Sequence, residues 1–531
     1  MSQRSNAWNP APPRTDPPAT KTFLVVARLL ILAWILVISW FVVSIKTTGS
    51  PDEAANKYFM RQLAASGQYR VDSGLPAEVN TVLYPRSSTR QGQFLASGSF
   101  LGLVQAGAVV INIFGVGAER FLTPLVALIA LILLYLFLRR FWDRWWALGT
   151  TVLVALHPAW FGQMTNPYLH NGLFTAMLVI AGWAMVRLLE RPTWWRTVLA
   201  GLFFGGALYF RPVEALWTVP IVVVLLAARK LWWQLTLMGL VTILAQLPWL
   251  LVNQELYGSA LSSAYTQAGV FSDGEDVVEV VAAPAKLLFT PPGGAWSWHW
   301  LSTTWWYVIV LGSPISVLAV MALGKYLRRT MSAIKTLKLS LLAVPVVFLL
   351  VYYGTWDLYP TSTASQIGWH ASYVRYWIML YVALTVGAVV AIQKLFFGRM
   401  KVVVMAALLA VNLTTTFFHV NSGVRQRLAA DRVGQERQNF ILRSTEPDSF
   451  VIAGQQDKYL FGQRRIAYAW PKDTAGLTAV KNTVVVRPVY LYGTLNQFSE
   501  RQLQTQLMPY NLALGGKAMH GSETLWKIII Q

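Results

Sequence analysis

Two adjacent carboxylates stand just beyond the first long apolar run of the chain. The run covers 23–45, and the tetrad Ser50-Pro51-Asp52-Glu53 follows it. Carboxylates at a membrane surface are costly unless they are solvated, paired or used in chemistry. The residues that follow have a helical, amphipathic pattern, which predicts a short helix lying on the membrane beside a cavity built by later apolar runs. A carboxylate at this position is suited to act as a general base.

Asp52 and Glu53 are therefore the candidate catalytic residues. Neighbouring residues on a helix point about 100° apart, so one of the two can face the cavity while the other caps the helix start. The competing interpretation is that both carboxylates only cap and anchor the surface helix. The residues alone leave these two interpretations open.

Three cations lie where an anionic ligand could reach them from the outer face. Lys57 is one helical turn after Glu53 and could pair either with it or with a ligand. Arg211 ends a Gly-rich helix, where a ligand phosphate or Glu214 could be its partner. Arg375 lies near the start of an apolar run and needs a partner, for which a phosphate held in two-point contact is suitable. We predict that Lys57, Arg211 and Arg375 bind the phosphate of an anionic ligand.

Polar and aromatic residues at two other predicted outer boundaries are candidates for substrate binding. The second outer loop contributes Asn166 and His170, and His170 could carry a proton near neutral pH or serve only in packing. A later segment contributes His370, Tyr373 and Tyr376, whose rings suit stacking on a sugar or placement at the interface. The acids of the outer loops have no metal-ligand spacing, so no metal site is predicted.

The composition indicates a polytopic α-helical membrane protein. The chain has 531 residues, of which 55% are hydrophobic and only 13% are charged. Apolar runs of about 20 residues recur along most of it. The net charge of +21 comes largely from cations in short loops between these runs, so it is interpreted as a topology signal and not as a nucleic-acid footprint. The chain has no cysteine, which excludes disulfides and thiolate chemistry.

The positive-inside rule selects about eleven transmembrane helices from twelve apolar runs. With the N-terminus in the cytoplasm, the cation-rich short loops all fall inside only if the run 98–116 does not cross. Its many glycines and polar residues agree with a re-entrant or interfacial segment, although a Gly-rich transmembrane helix is the alternative. We therefore predict a transmembrane domain over 23–418, with a first outer loop at 46–119 and a large outer loop at 253–302.

The character of the chain changes at both ends. The Pro-rich tail 1–22 is predicted to be disordered and cytoplasmic. Residues 419–531 are predicted to form a small extracytoplasmic α/β domain without a nucleotide or hydrolase motif. It should open with a helix over 422–444. The predicted strands lie at 450–452, 483–486, 489–491 and 524–530, and a further helix lies at 498–506.

The order of these features resembles the GT-C membrane glycosyltransferases, in particular the branch that contains protein mannosyltransferases and aminoarabinose transferases. The resemblance covers roughly 20–400 and no single motif in it is strong. The segments that carry it are Asp52-Glu53, Leu83-Tyr84-Pro85-Arg86, the Leu156-His157-Pro158 helix end, Gly205 to Pro212, and His370 to Tyr376.

The resemblance implies a GT-C-like bundle that transfers one sugar, with inversion, from a polyprenyl-phosphate carrier to a cell-envelope acceptor on the outer face. Asp52 matches the acid that activates the acceptor hydroxyl, Glu53 is its neighbour, and Arg86 is a candidate substrate contact. No cofactor and no nucleic acid are implied. Many such enzymes carry a second outer-loop acid where this chain has Asn166, His170 and Asn171, which argues against a metal-dependent variant.

The protein is thus predicted to be a multi-pass protein of the cell (inner or cytoplasmic) membrane, with the bilayer, a lipid-linked sugar donor and a glycan, lipid or protein acceptor as partners. Two other functions remain open. A transporter for a lipid-linked glycan would show half-repeats and mid-membrane ionisable residues, whereas the sequence shows no internal repeat and few charges within the predicted spans. A non-catalytic scaffold would need no carboxylate pair.

Overall fold

The computed structural model describes the chain over 21–261, 299–329, 343, 346–354, 368–369, 372–420, 422–468, 470–471, 473–494 and 499–531. The tail 1–20 and most of the predicted outer loop 253–302 lie outside these residues. The described part consists of a helical bundle, a small sheet inserted after the first two helices, and a C-terminal α/β domain.

Helices dominate the described residues up to 420. The helices of the bundle and of the first loop, in chain order, are α1 Lys21–Ser44, α2 Pro51–Ser66, α3 Ala77–Asn80, α4 Leu101–Phe114, α5 Leu122–Leu138, α6 Arg144–Ala155, α7 Pro158–Met164, α8 His170–Glu190, α9 Trp194–Phe210, α10 Ala215–Ala227, α11 Trp232–Tyr257, α12 His299–Thr304, α13 Ile315–Arg329, α14 Ile378–Leu395 and α15 Met400–Phe418. Residues 346–354 are also helical.

Six helices of the described residues are long and apolar enough to cross a membrane, or seven if a bent pair counts as one span. The pair is Trp300–Val310 with Ile315–Lys325, bent by 102°. Several other predicted spans form shorter or broken helices, such as α6 and α7, which divide at Pro158. A multi-pass helical membrane protein is therefore confirmed, while the count of about eleven spans stays a prediction.

The run 98–116 forms α4, whose 14 residues extend for about 21 Å. This is shorter than a hydrocarbon core of about 30 Å. The helix packs against α2 and α9 instead of standing alone. A Cβ at Gly102 would lie 2.1 Å from the Tyr209 carbonyl oxygen, and one at Gly107 would lie 2.1 Å from Met60 Sδ. These two glycines therefore serve close helix packing, while the non-crossing of this run stays a prediction.

The first outer loop contains a small sheet that the sequence analysis did not predict. Its strands are β1 Arg70–Asp72, β2 Ser88–Gln91 and β3 Phe94–Ser97, in the order β1-β3-β2 and all antiparallel. β2 and β3 form a hairpin closed by Gly92, whose φ of +60° suits a residue without a Cβ. The hairpin carries the chain from the loop back toward α2.

The C-terminal domain has a five-stranded sheet with mixed pairing. Its elements are α16 Val424–Arg443, β4 Phe450–Ile452, α17 Asp457–Leu460, β5 Arg465–Ala467, α18 Thr474–Val486, β6 Val489–Thr494, α19 Glu500–Leu507, β7 Leu512–His520 and β8 Glu523–Ile530. The strand order is β5-β4-β6-β8-β7, with β4 parallel to both β5 and β6. An α/β domain is confirmed, and so are the helices at 422–444 and 498–506 and three of the four predicted strands.

The strand predicted at 483–486 is wrong, because these residues form the last turn of α18. The run Thr483-Val484-Val485-Val486 is rich in β-branched residues, which favour strands as a local preference. The helix begins earlier, where the Asp473 side chain accepts a hydrogen bond from the Gly476 amide at 2.9 Å. Val480 and Thr483 are buried on one side, while Val485 and Val486 are exposed. Packing on the sheet therefore overrides the local preference.

Side chains of the C-terminal domain hold the chain just before α2. The carboxylate of Asp431 on α16 accepts hydrogen bonds from the Lys46 amide at 3.0 Å and from the Thr47 amide at 2.7 Å. Lys458 Nζ donates to the Gly49 carbonyl at 3.0 Å. The start of α2, which carries the two candidate carboxylates, is thus fixed from the side of the C-terminal domain.

Candidate active site

Glu53 caps the helix that carries it. Ser50 is the N-cap of α2, and its hydroxyl oxygen accepts from the Glu53 amide at 3.3 Å. In return, the Glu53 carboxylate accepts from the Gly49 amide at 2.9 Å and from the Ser50 hydroxyl at 3.2 Å. This reciprocal pattern is a capping box. Both oxygens of the buried Glu53 are bonded within its own turn, whereas the Asp52 side chain keeps 26% of its surface exposed, so Asp52 is the carboxylate that a ligand can reach.

The Asp52 carboxylate is held between two hydrogen-bond donors. Arg375 Nη1 lies 2.8 Å from Oδ2, and the Ser87 hydroxyl donates to Oδ1 at 2.5 Å. Burial raises the pKa of Asp52, but the nearby Arg375 charge and the two hydrogen bonds lower it by more, so the net pKa is below its ordinary value. Asp52 is therefore ionised at neutral pH and can accept a proton.

Ser87 was not predicted as a site residue. Its φ is +58°, a left-handed conformation that is uncommon for residues other than glycine. Its carbonyl accepts from the Gly98 amide at 2.8 Å, and a Cβ on Gly98 would lie 2.5 Å from the Ser87 carbonyl carbon. This close approach positions the hydroxyl on Asp52. The sequence signal that pointed to this region was the segment Leu83-Tyr84-Pro85-Arg86, which directly precedes Ser87.

Arg375 lies in a 3₁₀ turn, Ser372–Tyr376, just before α14. The Asn171 side-chain amide donates to the Arg375 carbonyl at 3.2 Å, and Arg375 Nη2 donates to the Tyr376 hydroxyl at 3.1 Å. The centroid of the Tyr376 ring is 5.1 Å from the guanidinium carbons of both Arg375 and Arg211. The ring also stacks on Tyr353, at 4.6 Å between centroids. Tyr376 thus brings two of the predicted phosphate-binding arginines together.

Arg211 is buried and pairs with Glu214 at 2.8 Å, one of the two partners that the sequence offered. Its Nη2 also donates to the Tyr353 hydroxyl at 2.8 Å, and that hydroxyl donates to Glu214. The guanidinium is therefore fixed by an internal network next to Tyr376. Its predicted contact with a ligand phosphate stays a prediction.

His170 and Asn166 are both buried near these groups. His170 Nδ1 is 3.3 Å from the Ser99 hydroxyl, and the imidazole packs edge-on against Phe100. The ring lies within electrostatic range of Asp52, Arg211 and Arg375. The Asn166 side-chain oxygen accepts from the Tyr168 amide at 3.3 Å. His170 thus lies in one cluster with Asp52, Arg211 and Arg375, whereas Asn166 holds the adjoining loop.

Lys57 borders a small pocket one turn further along α2. The pocket is lined by Glu53, Arg120, Asn166 and Tyr168, among others, and Lys57 Nζ lies 5.7 Å from the Tyr168 ring centroid. Burial, followed by the charges of Arg61 and Arg120, lowers the pKa of Lys57 to about 8. Because Lys57 and Arg120 both line this pocket, it suits an anionic group.

One predicted substrate contact, Arg86, is bonded to the C-terminal domain, and two others lie outside the described residues. The Arg86 guanidinium pairs with Asp457 of the C-terminal domain at 2.5 Å and packs on Tyr468. His370 and the side chain of Tyr373 lie outside the described residues. Within the described ranges, no group of three or more His, Asp or Glu residues could hold a metal ion.

Residues 105–252 match the family model described as dolichyl-phosphate-mannose-protein mannosyltransferase. No curated protein matches the sequence at a significant level.

Among solved structures, the chain is similar to ArnT from Cupriavidus metallidurans bound to undecaprenyl phosphate, with 13% identity, a TM-score of 0.52, and 96% of this chain and 98% of that chain covered. The apo state of the same ArnT gives 14% identity, a TM-score of 0.46 and coverage of 95% and 98%. Archaeal oligosaccharyltransferase AglB from Archaeoglobus fulgidus gives 11% identity, a TM-score of 0.45 and coverage of 90% and 71%.

The likeness to the lipid-bound ArnT shows the fold, and the matched segment lies within the bundle that builds the site. The resemblance predicted from the sequence is therefore confirmed at the level of the fold: the chain is a membrane protein with the GT-C fold, and residues 105–252 are similar to the dolichyl-phosphate-mannose-protein mannosyltransferase family.

Proposed function

We propose that this protein is an inverting glycosyltransferase that moves one sugar from a polyprenyl-phosphate-linked donor to a cell-envelope acceptor on the outer face of the cell membrane. The family match over 105–252 and the GT-C fold support membrane glycosyltransferase activity as such. The choice of donor, the inversion and the side of the membrane rest on the geometry of the Asp52 site and on the charge distribution of the loops.

Asp52 acts as the general base in this proposal. The acceptor hydroxyl oxygen attacks the anomeric carbon from the face opposite the phosphate, and its proton passes to the Asp52 carboxylate. The bond between the anomeric carbon and the phosphate oxygen breaks, and its electron pair leaves with the polyprenyl phosphate. The lowered pKa keeps Asp52 ionised, and the Ser87 and Arg375 donors fix the orientation of its two oxygens.

The cations next to Asp52 stabilise the departing phosphate. A guanidinium has five N–H donors, so Arg375 can remain bonded to Asp52 while it also donates to a phosphate oxygen. The Arg211 guanidinium carbon lies 5.1 Å from the Tyr376 ring centroid, and Lys57 lines a separate pocket further along α2. Fixed cations in a partly dry site stabilise the charge that develops on the leaving group. His170 and Tyr376 line the same cluster and would contact the sugar.

The observation that carries the proposal is the Asp52 carboxylate at the start of α2, paired at 2.8 Å with Arg375 from a late segment. A deletion strain complemented with the parent or with Asp52→Asn tests it. We expect mass spectrometry of the envelope glycans to show a sugar that the parent restores and Asp52→Asn does not, at equal protein levels. Restoration by Asp52→Asn would instead favour a scaffold or a transporter.

A further inference from the structure

Six arginines lie in and beside two loops at the end of the bundle opposite the Asp52 site. The loops join α5 to α6 and α8 to α9, and the arginines are Arg139, Arg140, Arg144, Arg187, Arg191 and Arg196. Helix α8 begins at His170, in the Asp52 cluster, and its 21 residues extend for about 31 Å to Glu190. None of the roles proposed above uses these arginines.

Three of these guanidinium groups surround one carboxylate. Arg140 pairs with Glu190, and Arg187 Nη1 lies 3.5 Å from the other oxygen of the same carboxylate. Arg196 Nη1 donates to the Arg187 carbonyl at 3.1 Å and to the Arg191 carbonyl at 3.3 Å. Burial, followed by the charges of Arg187 and Arg196, lowers the pKa of Arg140. The three cations therefore lie within electrostatic range of one another.

The acids of the two segments do not balance this charge. Segments 139–144 and 187–196 contain six arginines and two acids, Asp143 and Glu190. Asp143 is the N-cap of α6, where its carboxylate accepts from the Trp145 amide at 3.0 Å and the Trp146 amide at 3.2 Å. The positive-inside rule explains cations on one side of a membrane, but it does not explain their convergence. Because like charges at close range repel, an anionic partner would stabilise this arrangement.

The loop between α8 and α9 presents donors that an anion can reach. The Arg187 side chain is 40% exposed, and Arg191 is exposed as well. Arg196 donates only to carbonyl oxygens and pairs with no acid among the described residues. Thr193 is the N-cap of α9, but its side chain makes no capping hydrogen bond. The first turn of α9 therefore lacks a side-chain acceptor, and the positive end of its dipole adds to the arginine charges.

Exposed apolar side chains stand beside these donors. Trp194 is 70% exposed at the start of α9, and Trp195 next to it is exposed too. On the flanking turns of α5 and α9, Leu136 and Leu202 are exposed. Tryptophan is enriched at the boundary between headgroups and hydrocarbon, and exposed leucines on a spanning helix contact acyl chains. A partner that carries both a phosphate and hydrocarbon matches this combination, whereas a free anion would use the arginines alone.

We propose that the surface formed by Arg187, Arg191 and Arg196 binds the phosphate headgroup of an anionic phospholipid of the bilayer. Basic sites between the ends of membrane helices are suited to such headgroups, and a lipid with two phosphates, such as cardiolipin, would engage more than one arginine. His170 begins α8 and Arg211 directly follows α9, so the lipid would brace the two helices whose other ends reach the Asp52 cluster. The inference does not depend on the proposed function.

Native mass spectrometry of the full-length protein in detergent tests the inference, with cardiolipin, phosphatidylglycerol and phosphatidylcholine as probes. The double variant Arg187→Gln/Arg191→Gln removes two exposed cations from the surface. The matched control, Lys394→Gln/Arg399→Gln, removes two exposed cations from the loop between α14 and α15. We expect cardiolipin to bind to the parent and the control alike, and about 25-fold more weakly to the double variant, at about fivefold for each arginine. Phosphatidylcholine should not distinguish the three proteins.

The inference is overturned if the double variant binds cardiolipin as the parent does, or if the control loses as much affinity, because net charge alone would then explain the effect. Displacement of cardiolipin by excess inorganic phosphate would assign the surface to a free anion and also overturn it. Trp194→Ser changes an exposed residue and should weaken cardiolipin binding by about two- to fivefold. If the double variant does not fold, unchanged binding by Trp194→Ser overturns the inference in its place. No donor or turnover is needed, so Asp52→Asn should bind cardiolipin as the parent does.

Discussion

Arg375 Nη1 lies 2.8 Å from Asp52 Oδ2, although 323 residues separate the two in the chain. The contact joins the start of the first outer loop to the segment that opens a late membrane helix. Arg375 is the charge partner of the Asp52 carboxylate, and its guanidinium also donates to the Tyr376 hydroxyl. The proposed base and a proposed cation for the leaving group therefore meet in one pair.

Arg375→Gln should move the acid side of the pH–activity profile to higher pH. In the parent, burial raises the pKa of Asp52 and Arg375 lowers it by more, so the base stays ionised below the ordinary carboxyl range. Without the guanidinium, burial remains and the pKa rises. The check is kcat/KM for transfer as a function of pH. If kcat/KM only falls at every pH and the acid side of the profile keeps its position, Arg375 is not the group that lowers the pKa of Asp52.

Glu53→Gln should retain transfer. Glu53 accepts from the Gly49 amide and the Ser50 hydroxyl, and a glutamine keeps one acceptor oxygen for this capping role. Ser50→Ala removes the N-cap itself and should cost about 1 kcal/mol of helix stability, again with the chemistry intact. Thermal unfolding and turnover are measured together. Loss of turnover in Glu53→Gln at unchanged stability would make Glu53 part of the catalytic machinery.

Binding of polyprenyl phosphate should weaken as pH rises through about 8. The pKa of Lys57 is lowered to about 8, so its cation is present below that pH and lost above it. Lys57→Arg keeps the charge at all accessible pH values and should flatten this dependence. Titration of the lipid phosphate into each variant at several pH values gives the measurement. An unchanged pH dependence in Lys57→Arg would exclude Lys57 as the phosphate contact.

Arg86→Ala should loosen the C-terminal domain without weakening donor binding. Asp457 is fully buried and would lose the charged partner that holds it at 2.5 Å, at a cost of about 1.5–3 kcal/mol. Lys517→Ala is the matched control, because its pair with Glu500 is exposed and should contribute at most about 1 kcal/mol. Limited proteolysis of the domain reports the difference. Intact domain stability with reduced substrate affinity would restore Arg86 as a substrate contact.

The charge distribution predicts that the C-terminal domain is outside. A phosphatase that is active only after export, fused behind Gln531, should therefore be active. A cytoplasmic result would mean that the run 98–116 crosses the membrane, and it would invert the sidedness of every outer loop.

Local patterns predicted the parts of the structure that depend on neighbouring residues. Asp52 and Glu53 were predicted to open a helix, one of them as its cap, and α2 begins at Pro51 with Glu53 in the capping role. The Gly-rich composition of 98–116 predicted a helix that does not behave as an ordinary lipid-facing span, and α4 uses its glycines for close packing. Glu214 was named as an alternative partner of Arg211 from its i+3 spacing, and the two are paired.

The features that the sequence did not reveal depend on distant contacts. Nothing local marks the Ser87 hydroxyl as a donor to Asp52, because its position depends on the close approach of Gly98. The sheet over 70–97 has strands of only three or four residues, too short for a periodic signal. The ion pairs of Arg86 with Asp457 and of Arg375 with Asp52 join segments hundreds of residues apart, which spacing rules cannot detect.

Turnover by Asp52→Asn tests the central claim most directly. Lipid-linked sugars extracted from the native membranes serve as donors, and released polyprenyl phosphate is counted in the presence of envelope acceptors. We predict that the variant folds, binds polyprenyl phosphate within a fewfold of the parent, and loses about 10²- to 10⁴-fold in turnover, because an amide cannot take the acceptor proton. Turnover within a fewfold of the parent would contradict the assignment of Asp52 as the base.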